Sequence, residues 1–329
     1  MKAFEYAAPR REVDVLQLLS HEWGRAEVLA GGTDLIGLMK AMIVTPDRVV
    51  NLKEVRTMRG IEADSQGVVI GAVTTLDELL DSAALEPYPA VKQAIRGINS
   101  LQLQCQGTIG GELCQRPRCW YFRSGHGLLA DRGRAVIEGD DRYHAIFGNS
   151  GAAKFVSASR VAPALVALDA RVRIIGPSAE DETVLPLEFF YRTPKDDRQR
   201  ETILEPNQVV THILLPPAEE VASATYEVRH GEGPDYPLAA AAAALHMSGG
   251  VVESARIVLG HVAPTPWLSH EAARAILGRA INAETARAAG EAAVASATPL
   301  AGNRYKVQLA SVSVQRAILL AAGQETGGF

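Results

Sequence analysis

The stretch from 104 to 125, Q-C-Q-G-T-I-G-G-E-L-C-Q-R-P-R-C-W-Y-F-R-S-G, constrains this chain more than any other. It holds all three cysteines (Cys105, Cys114, Cys119), a glycine loop over 107–111 and the aromatic run Trp120, Tyr121, Phe122. Two chemistries compete for it. A glycine loop with a threonine can present backbone N–H groups to a phosphate. Cysteines beside arginines and aromatics can hold an iron–sulfur cluster. A second glycine loop, A-G-G-T-D-L over 30–35, follows a short apolar strand and opens a helix. A strand that runs into a glycine turn and then a helix start leaves several N–H groups free, and these attract an anion. The plain alternative is a tight turn in which Asp34 caps a helix over 35–42. Two such loops can hold the two phosphates of one dinucleotide from opposite sides. Neither the dinucleotide fingerprint G-x-G-x-x-G nor the P-loop pattern occurs, so neither of those folds is available.

The rest of the chain reads as an α+β protein. A helix is expected over 12–23, strands over 48–52 and 67–75, and helices over 75–80 and 89–98. Residues 128–151 are polar and irregular and read as a long loop. A helix over 161–170, a strand over 171–176 and a strand over 209–215 follow, the last ended by Pro216-Pro217. Beyond a boundary near 216–223, three strands over 225–229, 238–247 and 251–262 form a meander. Alanine-rich helices over 269–277, 283–297 and 303–322 close the chain, with Ser269 and Asn282 as caps.

Composition narrows the function. At 329 residues the chain is too long for one ordinary core, so two or three domains are expected. A net charge of −5 gives no footprint for nucleic acid. No run of about 18 apolar residues exists, so no membrane span is expected. The first dozen residues lack an apolar segment, so no leader is expected, and a reduced cytoplasmic setting is the default. The eight histidines show no metal-ligand spacing, and nearly all read as surface or capping residues.

A-G-G-T-D-L over 30–35, G-T-I-G-G-E-L over 107–113 and A-L-V-A-L-D-A over 164–170 together carry a resemblance. V-A-P-T-P-W over 262–267 and N-R-Y-K-V-Q-L-A over 303–310 extend it. The chain resembles the FAD-binding medium subunit of the molybdenum hydroxylases, the group of xanthine dehydrogenase, carbon monoxide dehydrogenase and 4-hydroxybenzoyl-CoA reductase. That resemblance implies two FAD-binding subdomains, 1–55 and 56–217, the second with an insertion over 112–155. A C-terminal domain over 218–329, a three-stranded antiparallel sheet with helices, completes the fold. It also implies a partner chemistry. Electrons would reach FAD from [2Fe–2S] clusters in a small subunit and leave to an external acceptor, while substrate reacts at a molybdenum cofactor in a large subunit. Ala30, Gly31, Gly32, Thr33, Asp34 and Leu35 would wrap the FAD pyrophosphate, and Thr108, Gly110 and Gly111 would supply the second loop. Tyr236 lies where the family's strand approaches the flavin ring. A chain of this kind with no leader of its own is cytoplasmic, or exported with a signal-bearing partner.

One branch of the family carries an extra [4Fe–4S] cluster in the insertion, with a signature close to G-N-L-x-Q-R-T-R-C-x-Y-F. Here 111–122 reads G-E-L-C-Q-R-P-R-C-W-Y-F, so Cys119 matches the first ligand. Further along stand His126, Asp131, Asp140 and His144 but no cysteine, and a cluster normally wants four thiolates. No [4Fe–4S] cluster is expected, and Cys119 reads as a small buried hydrophobe. Two further departures bear on the flavin. The family's G-G-N is Gly110-Gly111-Glu112 here, and its S-D is Ser159-Arg160. The second reverses a charge expected near the cofactor. A flavin-free structural subunit and a self-contained flavin oxidoreductase are therefore the alternatives to an electron-transfer subunit.

Overall fold

The computed structural model describes residues 1–218, 220–231, 233 and 235–326. It opens on β1 (Glu5–Ala7), α1 (Glu12–Leu18), β2 (Ala26–Leu29), α2 (Leu35–Lys40) and β3 (Arg48–Asn51). The three short strands pair in parallel, in the order β1-β3-β2. Parallel pairing demands crossovers, and α1 and α2 provide them. α1 stops short of the expected 12–23 because Leu19 is already extended.

The second sheet is built from β4 (Ile61–Asp64) and β5 (Gly67–Gly71), then β6 (Arg171–Ile175), β7 (Glu182–Pro186) and β8 (Val209–Leu215). All its pairings are antiparallel, in the order β4-β5-β8-β6-β7. Between β5 and β6 run α3 (Leu76–Asp81), α4 (Pro89–Arg96), α5 (Leu101–Gln106), α6 (Ile109–Leu113), α7 (Trp120–Arg123), α8 (Arg134–Glu138) and α9 (Ala162–Ala167). α3 carries a reciprocal cap, Thr75 against Glu78.

The third sheet comprises β9 (Val221–Val228), β10 (Ala239–Ser248), β11 (Val251–Gly260) and β12 (Trp267–Leu268). It has four strands, not the three expected, because the two-residue β12 adds an edge too short to show a period. α10 (His270–Ile276), α11 (Ala283–Val294) and α12 (Tyr305–Ala321) follow it. The alanine run of β10 is explained by its two faces. Ala239, Ala241, Ala243 and Leu245 pack into the core beneath the C-terminal helices, while Ala242 and Ala244 pack into the core shared with α4 and α9. Both faces are covered, so alternation gives way to a continuous apolar run, and small side chains let the layers approach. Within the expected 218–329 domain, Glu219, Glu232, Pro234 and residues 327–329 lie outside the described residues.

The insertion is more than the long irregular loop that 128–151 suggests. Phe122, Leu128, Leu129, Ala153 and Phe155 bury a small core of their own together with Leu38 of α2. Its other side is held by the start of α12. Asn303 Nδ2 donates to the carbonyls of His144 and Ala145 at 3.0 and 3.2 Å. Lys306 Nζ donates to the carbonyls of His144 and His261 at 3.2 and 2.8 Å and to that of Tyr143 at 3.3 Å. Burial pushes the Lys306 ammonium down to about 7. Among the described residues no helix is long and apolar enough to cross a membrane.

Candidate functional site

β2 runs into Gly31 and Gly32 before α2 begins. Gly32 has φ +74, which a β-carbon disfavours. A β-carbon on Gly31 would lie 1.8 Å from the carbonyl oxygen of Gln106, the last residue before the second loop. The two glycine loops, distant in sequence, are therefore in van der Waals contact, and only glycine allows it.

They use their N–H groups in opposite ways. Among the described residues the N–H groups of Gly31, Gly32, Thr33 and Asp34 have no backbone acceptor. In the second loop the N–H of Ile109 goes to Thr74 O at 3.0 Å and that of Gly110 to Ala72 O at 2.9 Å. Thr108 caps α6, its Oγ1 accepting from Gly111 N at 3.2 Å. The two loops are thus not equivalent as anion cradles: in the second, the N–H groups of Ile109, Gly110 and Gly111 are spent on the segment after β5 and on the loop's own threonine. Gly110 is required by this packing, since a β-carbon there would meet Ala72 at 2.8 Å.

Both loops line one open cavity of about 1250 Å³, counting the space out to its mouth. Ala30, Gly31, Gly32, Thr33, Asp34, Leu35, Thr108, Gly110 and Gly111 all line it. Tyr236 does not; its hydroxyl donates to Gln115 Oε1 at 2.6 Å. Apolar walls come from β2 (Val28) and the residue after β3 (Leu52), and from β8 (Val209, Val210) and the segment after β5 (Val73). The walls and convergent polar groups are those of a ligand site.

Asp34 is not a helix cap. Its side chain makes no capping bond to α2. It accepts instead from Arg116 N at 2.9 Å and Arg123 Nη2 at 2.8 Å, with Arg118 Nη2 at 3.2 Å. A carboxylate with two guanidiniums and an amide around it is a strong anchor, and it ties Q-R-P-R of the insertion to the first loop.

Sequence reasoning missed several lining residues. Trp23, Arg200, Glu201 and Thr202 carry no motif, and the fold alone assembles them; Cys114 and Arg116 lie within the 111–122 signature, which gives them no lining role. Glu201 is 6% exposed, ion-paired with Arg116, yet neither carboxylate oxygen has an aligned hydrogen-bond donor. A buried carboxylate left in this state at a cavity wall fits a ligand that brings hydroxyl or N–H donors, as a dinucleotide does. Together with four unspent N–H groups on a glycine loop, the residues fit an adenine dinucleotide such as FAD.

The two departures at 112 and 160 turn out to be one feature, away from the lining. Glu112 accepts from Arg160 N at 2.7 Å and is also bonded by Gln115 Nε2. Burial raises its carboxyl to about 7. The Arg160 guanidinium bonds the carbonyls of Gly97 and Asp235, with Glu227 at 3.7 Å. The charge reversal thus does not face the cavity.

The cysteines are dispersed. Cys105 is exposed, Cys114 lines the cavity with its thiol pushed by burial to about 12, and Cys119 Sγ lies 3.2 Å from His144 Nε2. Cys119 is thus a histidine-paired thiol and not merely a small hydrophobe. Among the described residues no group of three or more His, Cys, Asp and Glu is placed to hold a metal ion. His144 and His261 are each 2% exposed, against the expectation of surface histidines. Burial holds His144 down near 4.

Comparison with known proteins accords with this geometry. Residues 2–218 match the FAD binding domain in molybdopterin dehydrogenase, and residues 224–321 match the CO dehydrogenase flavoprotein C-terminal domain. The chain is 31% identical to the aldehyde oxidoreductase FAD-binding subunit PaoB of Escherichia coli (strain K12), over 98% of this chain and 100% of that one. It is 29% identical to the carbon monoxide dehydrogenase medium chain of Hydrogenophaga pseudoflava, over 96% of each. Its fold is similar to that in reconstituted CO dehydrogenase from Oligotropha carboxidovorans, with a TM-score of 0.77 at 27% identity, covering 98% of this chain and 99% of that one. Sequence match and fold agree from one end of the chain to the other, and the protein belongs to the FAD-binding medium subunits of the molybdenum hydroxylase family.

Proposed function

We propose that this chain holds one FAD in the cavity between its two glycine loops and carries electrons to an external acceptor. In this reading the electrons come from [2Fe–2S] clusters of a small partner subunit, and a large subunit with a molybdenum cofactor performs the substrate chemistry. The observation that carries it is the set of N–H groups on Gly31, Gly32, Thr33 and Asp34 that have no backbone acceptor among the described residues, on a loop that lines the cavity. Those groups would bind the pyrophosphate, flanked by Ala30 and Leu35. Thr108, Gly110 and Gly111 would admit the cofactor by leaving space, and Asp34 would keep the first loop in shape through its arginine contacts. Residues 1–55 and 56–217 would then be the two halves of the cofactor site, and 218–329 the domain behind them. Tyr236, between the guanidiniums of Arg118 and Arg160, is the residue assigned to the flavin side. When bound, the flavin supplies a carrier that takes up and releases electrons singly or in pairs. The case for a flavin-free subunit weakens, because Glu112 accepts from the Arg160 backbone N–H and the Arg160 guanidinium goes to Gly97, Asp235 and Glu227, all outside the lining.

The test is a visible absorption spectrum of the purified chain, with released flavin and iron assayed on the same sample. About one flavin per chain, without iron, is the expected result. Neither flavin nor iron after incubation with FAD would overturn the reading. About four irons per chain would mean that Cys119 and non-cysteine ligands complete a cluster.

A further inference from the structure

Glu112, buried on α6, and Gln115, just past that helix, stand outside the cavity lining, and the cofactor reading gives neither a task. The groups bonded to the Glu112 carboxylate are all donors. Its Oε1 accepts from Arg160 N at 2.7 Å and from Ser159 Oγ at 3.4 Å, and its Oε2 is bonded by Gln115 Nε2. At the other end of the same amide, Gln115 Oε1 accepts from Tyr236 Oη at 2.6 Å and from Arg118 Nη2 at 3.1 Å. A carboxylate cannot donate and a guanidinium cannot accept, so the amide has one orientation, nitrogen to Glu112 and oxygen to Arg118. Arg118 Nη2 also reaches Asp34 Oδ1 at 3.2 Å. One glutamine and one arginine therefore join Glu112, beside the second glycine loop, to the first loop.

We infer that Glu112 is a positioning residue whose charge, read through the Gln115 amide, sets the hold of Arg118 on Asp34 and the placement of Tyr236, and with them the affinity for the cofactor. The inference rests on the cofactor reading above. With Glu112 ionised, each donor along the line faces an acceptor. A proton on Oε2 sets a second donor against the Gln115 N–H2. The amide must then turn over, its N–H2 meets the Arg118 guanidinium, and the Tyr236 hydroxyl loses its acceptor. Ser159 Oγ offers no easy outlet for that proton, because it already accepts from Ala162 N at 3.0 Å. The groups that face the carboxylate come from several elements. Ser159 and Arg160 precede α9, Gln115 follows α6, Tyr191 donates its buried hydroxyl to Leu113 O at 3.0 Å, and Tyr236 stands beyond Gln115. Arg160 is the cation that opposes the burial of Glu112, and it also faces Glu227, Arg229 and His261. Burial outweighs that attraction, and the carboxyl titrates at about 7.

The test is the pH profile of FAD affinity. FAD is titrated into the flavin-stripped full chain between pH 6 and pH 8, followed by flavin fluorescence, for the natural protein, Glu112→Gln and Gln115→Leu. FAD binds the ionised arrangement better, so binding releases a proton and affinity falls as the pH drops through the carboxyl's midpoint. The natural chain should bind about tenfold more weakly at pH 6 than at pH 8, the limit for one proton with a midpoint of about 7. Glu112→Gln mimics the protonated carboxyl and should hold the weak, low-pH affinity across the range. Gln115→Leu, at a half-buried position, cuts the line and should also give a flat profile, which keeps the test decisive if Glu112→Gln does not fold. Lys306 titrates in the same range, so a slope that persists in Glu112→Gln belongs elsewhere and overturns the inference. A flat profile in the natural chain overturns it too, as does an undiminished slope in Gln115→Leu. If the natural chain binds no FAD at any pH, the cofactor reading itself fails and takes this inference with it.

Discussion

The loops at 30–35 and 107–113 look alike in sequence and do different work. Each sets two adjacent glycines and a threonine where a helix begins. In the first, the glycines let the chain touch Gln106 and leave four N–H groups unspent. In the second, the same residue types are consumed by the scaffold: Ile109 and Gly110 bond to Thr74 and Ala72, and Thr108 caps its own helix. A glycine motif therefore does not define an anion cradle by composition. What decides is whether the neighbouring strand has already taken the donors. The first loop follows the outer strand of a small parallel sheet, with no further strand beside it; the second is stitched to the segment after β5.

Substitutions can test this contrast, beginning with the most damaging. Gly31→Ala drives a β-carbon into the carbonyl of Gln106, and backbone cannot yield cheaply. We expect a loss of more than about 3 kcal/mol in chemical denaturation, together with loss of flavin from the purified chain. A stable, flavin-loaded variant would break the claim that the loops depend on close contact. Asp34→Asn removes the charge between Arg118 and Arg123 while keeping the shape. It should cost about 2 kcal/mol and raise protease sensitivity within the insertion before it affects the C-terminal helices. Thr108→Val removes only the α6 cap. A loss of about 1 kcal/mol with unchanged flavin affinity is expected by thermal melting and titration. A large drop in flavin affinity instead would return Thr108 to the direct binding role that its sequence suggests.

Much of this architecture is legible in the order of amino acids alone. The two loops, the alternation of helices and short strands, the helical C-terminus and the family resemblance all rest on local pattern or on motifs in order. The site residues named from those motifs meet in one cavity, Tyr236 excepted. What sequence pattern cannot convey is whatever depends on distant partners. Asp34 has the residue type and position of a cap, yet two guanidiniums claim its carboxylate. Arg160 looks like a charge placed against the cofactor because its compensating groups, Glu112 and Glu227, are far off in sequence. Trp23, Arg200 and Glu201 belong to no motif, and only the meeting of two sheets makes them neighbours. The insertion misleads for a related reason: its polar residues hide a core that borrows Leu38 from α2.

That borrowed core has a consequence in time. The insertion leans on α2 on one side and on Asn303 and Lys306 on the other, and the bond from Asn303 to His144 spans 159 residues. Contacts so distant in sequence form late, because the intervening chain must be ordered before they are rewarded. During synthesis the segment carrying Cys119, Trp120 and His144 leaves the ribosome long before the helix that will close over it. For that interval the carbonyls of Tyr143, His144 and Ala145 lack the donors that Asn303 and Lys306 bring, while the core of Leu38, Phe122 and Phe155, against which Cys119 packs, needs nothing from α12. The short polar stretch N-R-Y-K at the start of α12 is thus the last clasp to shut on the His144 side of the insertion.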